Sequence, residues 1–125
     1  MPKILSWEDC GLPVASPILQ AATITKAGLV YTSGSVGIRT DGTIPETVEE
    51  QTEIAINNLE TVLKTAGSSL EGVIKVLLFV TDASLLPKVN AIYSTKFTTK
   101  PPRSAVVVKL GHPDLLVELE CVAEL

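Results

Sequence analysis

The sequence predicts an α+β fold in which a mixed six-stranded sheet carries two helices on one face. Segments rich in β-branched and apolar residues alternate with two segments of helical periodicity, in the order strand, strand, helix, strand, helix, strand, strand. A short edge strand within the irregular lead-in of residues 1–16 makes the sixth. Because both helices cover the same face, we expect the other face to stay partly apolar and open.

The composition is that of a globular chain with more apolar surface than a small domain normally buries. Of 125 residues, 46% are apolar and 19% are charged, against about 25% charged in average proteins. This length suits one domain over residues 1–125. Small domains bury a smaller fraction of their surface, so the apolar surplus favours an oligomer.

The first two strands are expected at Ile18–Thr25 and Leu29–Ser33. Lys26-Ala27-Gly28 is a tight connection between them, and Thr40-Asp41-Gly42 is a turn, since Asp and Gly accept the backbone angles that turns demand.

The first helix is predicted to begin near Thr47 and to stop at Gly67. Thr47 and Glu50 have capping-box spacing, and a glycine commonly follows the last helical residue. Apolar residues at three- and four-residue steps line one face: Ala55, Leu59, Val62, Leu63 and Ala66.

The run Val73–Thr81 is nearly all apolar or β-branched, which predicts a central strand covered on both faces. Asp82 or Ser84 can cap the second helix. Its expected buried stripe is Leu86, Val89, Ile92, Tyr93 and Phe97.

Lys100-Pro101-Pro102 ends the second helix and forces an extended path through residues 103–108. The last strand, Leu115–Ala123, alternates in polarity. Its odd-numbered residues from Val117 onward face one way, and Glu118 and Glu120 face the other.

Several classes of function find no support. The net charge is −4 and the ten Lys and Arg residues are scattered, so a nucleic-acid partner is not expected. No apolar run reaches the roughly 18 residues of a membrane span, and no signal peptide precedes Trp7. Two reduced cysteines, Cys10 and Cys121, and a cytoplasmic location are expected; a removed presequence would allow a mitochondrial one.

The chain also lacks the usual catalytic and metal-binding motifs. His112 is the only histidine and has no Cys or carboxylate cluster around it in the sequence, so no metal site is expected. Without a histidine near a serine, triad hydrolysis has no basis. No cofactor motif appears either.

Arg103 is the first candidate for a functional residue. It follows two prolines at a helix-to-strand junction, and the prolines limit the entropy lost in fixing its side chain. Its planar donor fork matches a carboxylate. The alternative is a surface arginine paired with a nearby glutamate.

Glu118 and Glu120 share one face of the last strand. They form either a general base with its neighbour or a solvated strand edge. The glutamates are expected opposite Arg103 on an adjacent strand, which favours a role as general base.

Two further segments carry polar groups, and the sequence allows two interpretations of each. Asn90 lies beside the buried stripe of the second helix, where it either serves a site or bonds a loop carbonyl. The segment Ser33-Gly34-Ser35-Val36-Gly37 either offers N–H groups to an anion or is an ordinary turn.

The run Lys100-Pro-Pro-Arg-Ser-Ala-Val106, followed by Val117-Glu-Leu-Glu120, resembles the C-terminal signature of the RidA family, also called YjgF/YER057c/UK114. Three further stretches agree in the same order: Val30–Gly34, Ile74–Asp82 and Val89–Tyr93. Together they span nearly the whole chain.

The resemblance implies a chorismate-mutase-like fold of the bacillary type, assembled as a homotrimer with three clefts between subunits. It implies hydrolytic deamination of 2-aminoacrylate-type enamines and imines, of the 2-iminobutanoate/2-iminopropanoate deaminase kind, to 2-keto acids and ammonia without a cofactor. Arg103 would bind the substrate carboxylate and Glu118 would position or activate water. Asn90, Ser33 and Gly34 would line the cleft.

The chain departs from the family pattern at the cleft wall. Ile18 replaces a tyrosine of the usual Gly-Pro-Tyr-x-Gln, Ala105 replaces a common cysteine, and Ser35-Val36-Gly37 replaces Gln-x-Pro. These changes leave a second interpretation open, a non-catalytic module or regulatory protein that binds a keto acid or amino acid. A third, ribonuclease activity, is attached to some relatives; the acidic charge and the missing histidine pair oppose it.

Overall fold

The computed structural model describes residues 1–125 as an α+β fold with one sheet. The strands are β1 (Lys3–Leu5), β2 (Ala22–Ile24), β3 (Leu29–Thr32), β4 (Ser35–Val36), β5 (Val73–Val80), β6 (Arg103–Val107) and β7 (Val117–Glu124). The helices are α1 (Val48–Ala66) and α2 (Leu86–Lys96), with 3-10 turns at Leu70–Gly72 and Ala83–Leu85.

The sheet is mixed, as predicted. Its strand order is β1-β2-β3-β7-β5-β6, and the short β4 pairs with β7 beside β3. Only β5 and β6 are parallel. Two parallel neighbouring strands need a crossover connection, and α2 provides the one between β5 and β6. β6 forms one edge of the sheet, and β7 lies on the other side of β5.

The predicted first helix is confirmed at both ends. The Thr47 hydroxyl accepts a hydrogen bond from the backbone N–H of Glu50 at 3.2 Å. At the other end Gly67 adopts φ 92°, and its N–H caps the Leu63 and Lys64 carbonyls. Of the predicted apolar face, four residues are buried and Ala66 is partly buried.

Gln51 is a fully buried polar residue that periodicity did not single out. Its amide nitrogen donates to the carbonyls of Pro45 and Asp114, at 2.9 and 2.8 Å. Its amide oxygen accepts from the N–H of Leu116 at 2.8 Å. A buried amide with its bonds satisfied adds specificity without a desolvation penalty, so Gln51 ties α1 to the loop that leads into β7.

The second helix buries a narrower stripe than predicted. Val89, Tyr93 and Phe97 are at most 9% exposed, whereas Leu86 and Ile92 are only partly buried. The three buried residues belong to one core cluster with residues of α1 and of β5. Both helices therefore cover the same face of the sheet.

The prediction that the central strand is covered on both faces is wrong for the single chain. In β5, Val76, Leu78 and Val80 are fully buried beneath the helices, but Leu77 and Phe79 point to the other face and are only partly buried. This open face also carries Tyr31 and Val106, which are 48% and 39% exposed. The expectation of a partly apolar, open sheet face is confirmed.

The alternation of β7 is confirmed. Val117, Leu119, Cys121 and Ala123 are buried on the helix-covered face. Glu118 and Glu120 point to the open face, opposite Phe79 and Leu77 of β5.

Two expectations for the N-terminal third need correction. The predicted strand Ile18–Thr25 is shortened to β2, because Ile18 lies in a turn where its N–H bonds the Ser16 hydroxyl at 3.3 Å. The segment after Ser33 is not only a turn: Ser35 and Val36 form β4, a seventh strand.

The two cysteines are free and buried. Neither helix has the length and apolar character needed to cross a membrane.

Candidate functional site

Arg103 is the first residue of β6 and is held by two residues of α2. Its Cζ atom lies 4.7 Å from the centre of the Tyr93 ring, and its Nη1 donates to Asn90 Oδ1 at 3.0 Å. It forms none of the three ion pairs of the chain, which are Arg39–Glu50, Lys64–Glu60 and His112–Asp114. The alternative of a surface ion pair is therefore wrong within the chain, and the carboxylate-binding fork remains available.

Ala105 extends this group along β6. It lies two residues beyond Arg103 and thus on the same face of the strand, and it is exposed. Asn90 is exposed as well. We call Arg103, Asn90, Tyr93 and Ala105 the arginine half-site.

Tyr93 is the member of this group that sequence reasoning placed only in the core. Its side chain is 9% exposed, and burial raises the pKa of its hydroxyl while the neighbouring charge of Arg103 lowers it. The one available signal was its position three residues after Asn90, which puts both side chains on one side of a helix.

Glu118 is the second residue of β7 and lies on the open face of the sheet. A side chain at Gly34 would collide with its carboxylate, so the glycine makes room for it. Burial raises the pKa of Glu118, and the nearby charge of Glu120 raises it further. A carboxylate with a raised pKa is a stronger proton acceptor than an ordinary one, and its acid form can return the proton.

Of the other residues expected at the cleft, Gly34 lies against Glu118, and Ser33 precedes Gly34 in the chain. The Ser33 hydroxyl donates to the Gln20 carbonyl at 2.5 Å, which fixes the segment beside Glu118. Ile18 is 89% exposed and lies with Ser33 on a shallow groove of about 400 Å³. We call Glu118, Gly34, Ser33 and Ile18 the glutamate half-site.

The two half-sites do not meet within one chain, contrary to the expectation that Arg103 and Glu118 face each other across adjacent strands. β5 separates their strands. Arg103 pairs with Val76, which faces the helices, whereas Glu118 pairs with Phe79, which faces the open side. The parallel pairing of β6 with β5 puts Arg103 at the sheet edge, and the two-residue period of a strand sends Glu118 to the opposite face.

The rest of the molecule offers no competing catalytic cluster. A cavity of about 300 Å³ lies between the lead-in segment, β4 and α1, with a mostly apolar lining that includes Trp7, Leu59 and Val62. Ser33 and Gly34 also line this cavity, but neither Arg103 nor Glu118 does. No three His, Cys, Asp or Glu side chains are placed to hold a metal ion.

The chain matches the family model described as endoribonuclease L-PSP over residues 15–125. Among curated proteins, it is 37% identical to RutC family protein UK114 of Drosophila melanogaster over 124 residues, covering 97% of this chain and 88% of that protein. It is 33% identical over 116 residues to the mitochondrial protein mmf2 of Schizosaccharomyces pombe, covering 90% of each. It is 35% identical over 125 residues to AldR of Lactococcus lactis, a candidate regulator, covering 98% of this chain and 97% of that protein.

Solved structures agree over the full length. A protein of Entamoeba histolytica assigned to the endoribonuclease L-PSP type superposes with a TM-score of 0.90 at 31% identity, over 100% of both chains. Escherichia coli TdcF with bound serine superposes with a TM-score of 0.87 at 26% identity, over 98% of both chains. These matches confirm the resemblance read from the sequence: the chain belongs to the endoribonuclease L-PSP family, which includes the RutC, YjgF, UK114 and Rid proteins.

Proposed function

We propose that the protein hydrolyses reactive enamines and imines of 2-amino acids to 2-keto acids and ammonia, in clefts between the subunits of a homotrimer. One observation carries the proposal: Arg103 and Glu118 lie on opposite faces of the sheet, and each half-site lacks what the other has. A cleft that joins the arginine half-site of one subunit to the glutamate half-site of the next contains both groups.

The open face of the sheet supports the assembly. It presents the partly buried Leu77 and Phe79 together with the more exposed Tyr31 and Val106. Contiguous apolar surface of this kind is typical of a subunit interface. Glu118 lies on this face opposite Phe79, so a subunit packed there would also form the second wall of the cleft.

Arg103 binds the substrate carboxylate in this proposal. The Asn90 amide engages one guanidinium donor, which leaves the remaining donors of the fork for an anion. A hydrogen bond to a charged group contributes about 1.5–3 kcal/mol. The bond also fixes the imine carbon relative to the cleft wall, which adds the advantage of proximity.

Glu118 acts as general base and then as general acid in this proposal. An enamine such as 2-aminoacrylate first becomes the imine by moving a proton to its terminal carbon. Water then adds to the imine carbon: Glu118 accepts one of its protons, and solvent supplies a proton to the nitrogen. The carbon–nitrogen bond then breaks: Glu118 returns its proton to the departing nitrogen, which leaves as ammonia, and the hydroxyl releases its proton to solvent as the carbonyl of the keto acid forms. The raised pKa of Glu118 suits this two-way transfer.

A coupled assay tests the proposal. A pyridoxal-phosphate dehydratase generates the enamine from serine, and keto-acid release is followed with and without the protein. We expect Arg103→Ala to lower kcat/KM about 10- to 100-fold, the kinetic equivalent of the lost charge-assisted bond. Arg39→Ala is the matched control, since Arg39 forms an exposed ion pair with Glu50 at 3.3 Å. Unchanged activity in Arg103→Ala would exclude the role given to this residue.

A second candidate is a binding protein that senses a keto acid or amino acid without turnover. The exposed Ile18 at the glutamate half-site favours it, because an isoleucine offers no hydroxyl to a bound water or substrate. TdcF with bound serine and the candidate regulator AldR are relatives whose names fit this class. Affinity for pyruvate or serine by calorimetry, together with no acceleration of keto-acid release, would select the sensor.

Ribonuclease activity, named in the family description, has less support. The net charge of −4 opposes binding of a phosphate backbone. The single histidine accepts a bond from the N–H of Asp114 in a turn. Cleavage of RNA by the wild type and its loss in Arg103→Ala would reverse this judgement.

A further inference from the structure

Tyr93 contacts the guanidinium of Arg103 with the face of its ring. The Arg103 Cζ atom lies 4.7 Å from the ring centre, within the roughly 6 Å over which a cation is attracted to an aromatic face. The ring is itself held by the stacked ring of Phe97, with centroids 4.4 Å apart and planes inclined by 28°. Tyr93 is 9% exposed and Phe97 2% exposed, so this platform is a fixed part of the core.

Asn90 constrains the same guanidinium from a second direction. It lies one helical turn before Tyr93, and positions three apart are neighbours on a helix surface. Its Oδ1 accepts from Nη1 of Arg103 at 3.0 Å. A planar group held by one face and by one donor has little freedom to rotate, so its remaining donors keep one direction.

The hydroxyl of Tyr93 makes no hydrogen bond. It is the single buried side-chain nitrogen or oxygen of the chain without a partner, although buried polar atoms are nearly always bonded. Arg103 lies near enough to the hydroxyl to lower its pKa, but without a bond of good geometry there the close contact is made by the ring face.

We propose that Tyr93 is a positioning residue for carboxylate recognition, whose ring face sets the direction of the Arg103 donor fork. This inference rests on the proposed role of Arg103 as the carboxylate anchor. Tyr93 does not touch the substrate; it acts through Arg103, and its loss weakens carboxylate binding without slowing the chemical step that Glu118 supports.

The test compares Tyr93→Phe, which keeps the ring, with Tyr93→Leu, which removes it, in the assembled protein. Pyruvate binding is measured by calorimetry, and KM and kcat by keto-acid release. In Tyr93→Leu we expect pyruvate affinity to fall and KM to rise about 2- to 30-fold, the range for a lost cation–π contact, with kcat nearly unchanged. In Tyr93→Phe we expect both to stay within about 2-fold of wild type, with a melting temperature no lower than that of wild type.

Ile56→Ala is the control for lost core packing, because Ile56 is a fully buried residue of α1 outside the arginine half-site. It should lower stability and leave KM unchanged. Proton NMR of the Arg103 side chain gives a direct readout. A ring-current shift to high field is expected in wild type and in Tyr93→Phe, and its absence from wild type would by itself overturn the proposal, even if Tyr93→Leu fails to fold.

The remaining outcomes separate this proposal from the proposed function. Equal losses in Tyr93→Phe and Tyr93→Leu would assign the effect to the hydroxyl and overturn the platform. Normal pyruvate binding by Tyr93→Leu with loss in Arg103→Ala would overturn the positioning role alone. Normal binding by Arg103→Ala would overturn the carboxylate anchor itself, and the positioning role with it.

Discussion

Two variants of strongly reduced activity should restore activity to each other if the cleft joins two subunits. Arg103→Ala removes the anchor from one half-site and Glu118→Gln removes the proton acceptor from the other. The two residues lie on opposite faces of the sheet, so a cleft takes Arg103 from one chain and Glu118 from the next. After denaturation and refolding of an equal mixture, about one cleft in four receives both intact residues by random assembly of a closed ring.

Keto-acid release measures the recovery, and we expect about one quarter of the wild-type rate per chain. The same variants mixed without refolding are the first control and should show only their own residual rates. The second control pairs Arg103→Ala with Asn90→Asp, in which the new carboxylate neutralises the arginine. Both changes lie in the arginine half-site, so refolding should restore nothing. No recovery in the Arg103→Ala and Glu118→Gln mixture would refute the intersubunit cleft.

Three further predictions concern single positions. A Cβ at Gly37 would lie 2.5 Å from Gln51 Cα, so Gly37→Ala should lower the free energy of unfolding by about 1–3 kcal/mol or more. Urea denaturation at fixed chain concentration measures this change. Gly111 has open space around it, so Gly111→Ala should have almost no effect. Burial raises the pKa of Glu118 above its ordinary 4.5, so native Glu118 holds its proton to higher pH than the unfolded chain does. Its stabilising contribution is therefore complete below 4.5 and is lost as pH rises through the raised value; Glu118→Gln should flatten that decline, and a parallel pH dependence in both proteins would contradict it. Burial raises the pKa of Cys121 to about 12, so only about one Cys121 thiol in ten thousand is ionised in the native protein at about pH 8. Iodoacetamide at this pH should therefore label Cys121 only after unfolding. Rapid labelling of the native protein would show that the thiol is accessible and would contradict this.

Local patterns were enough to predict the elements that carry their own signals. α1 was found from its Thr47 cap, its apolar period and its terminal Gly67, because each acts within a few residues of sequence. β7 was found from strict alternation. β4 was missed because two residues are too few for a period, and the start of β2 was misplaced because the turn at Ile18 rests on the Ser16 hydroxyl.

Some residues of the candidate site could likewise be predicted from the sequence, and one could not. Arg103 after two prolines and the carboxylates of β7 could be singled out from residue type and position, and the chain-long resemblance gave them roles. Tyr93 could not be told from an ordinary core residue, because its contact with Arg103 joins α2 to a strand that begins only after the helix has ended.

Motifs and short-range periods in the chain were sufficient to predict the family, the α+β fold, the first helix and the last strand, and to single out Arg103 and Glu118 as candidates. The positions of these two residues on opposite faces, with β5 between them, could be read only from the folded chain. The order of the strands, and the face of the sheet to which each side chain points, depend on the crossover through α2 and on pairing between distant segments. Neither produces a pattern in the neighbouring sequence that could be recognised locally.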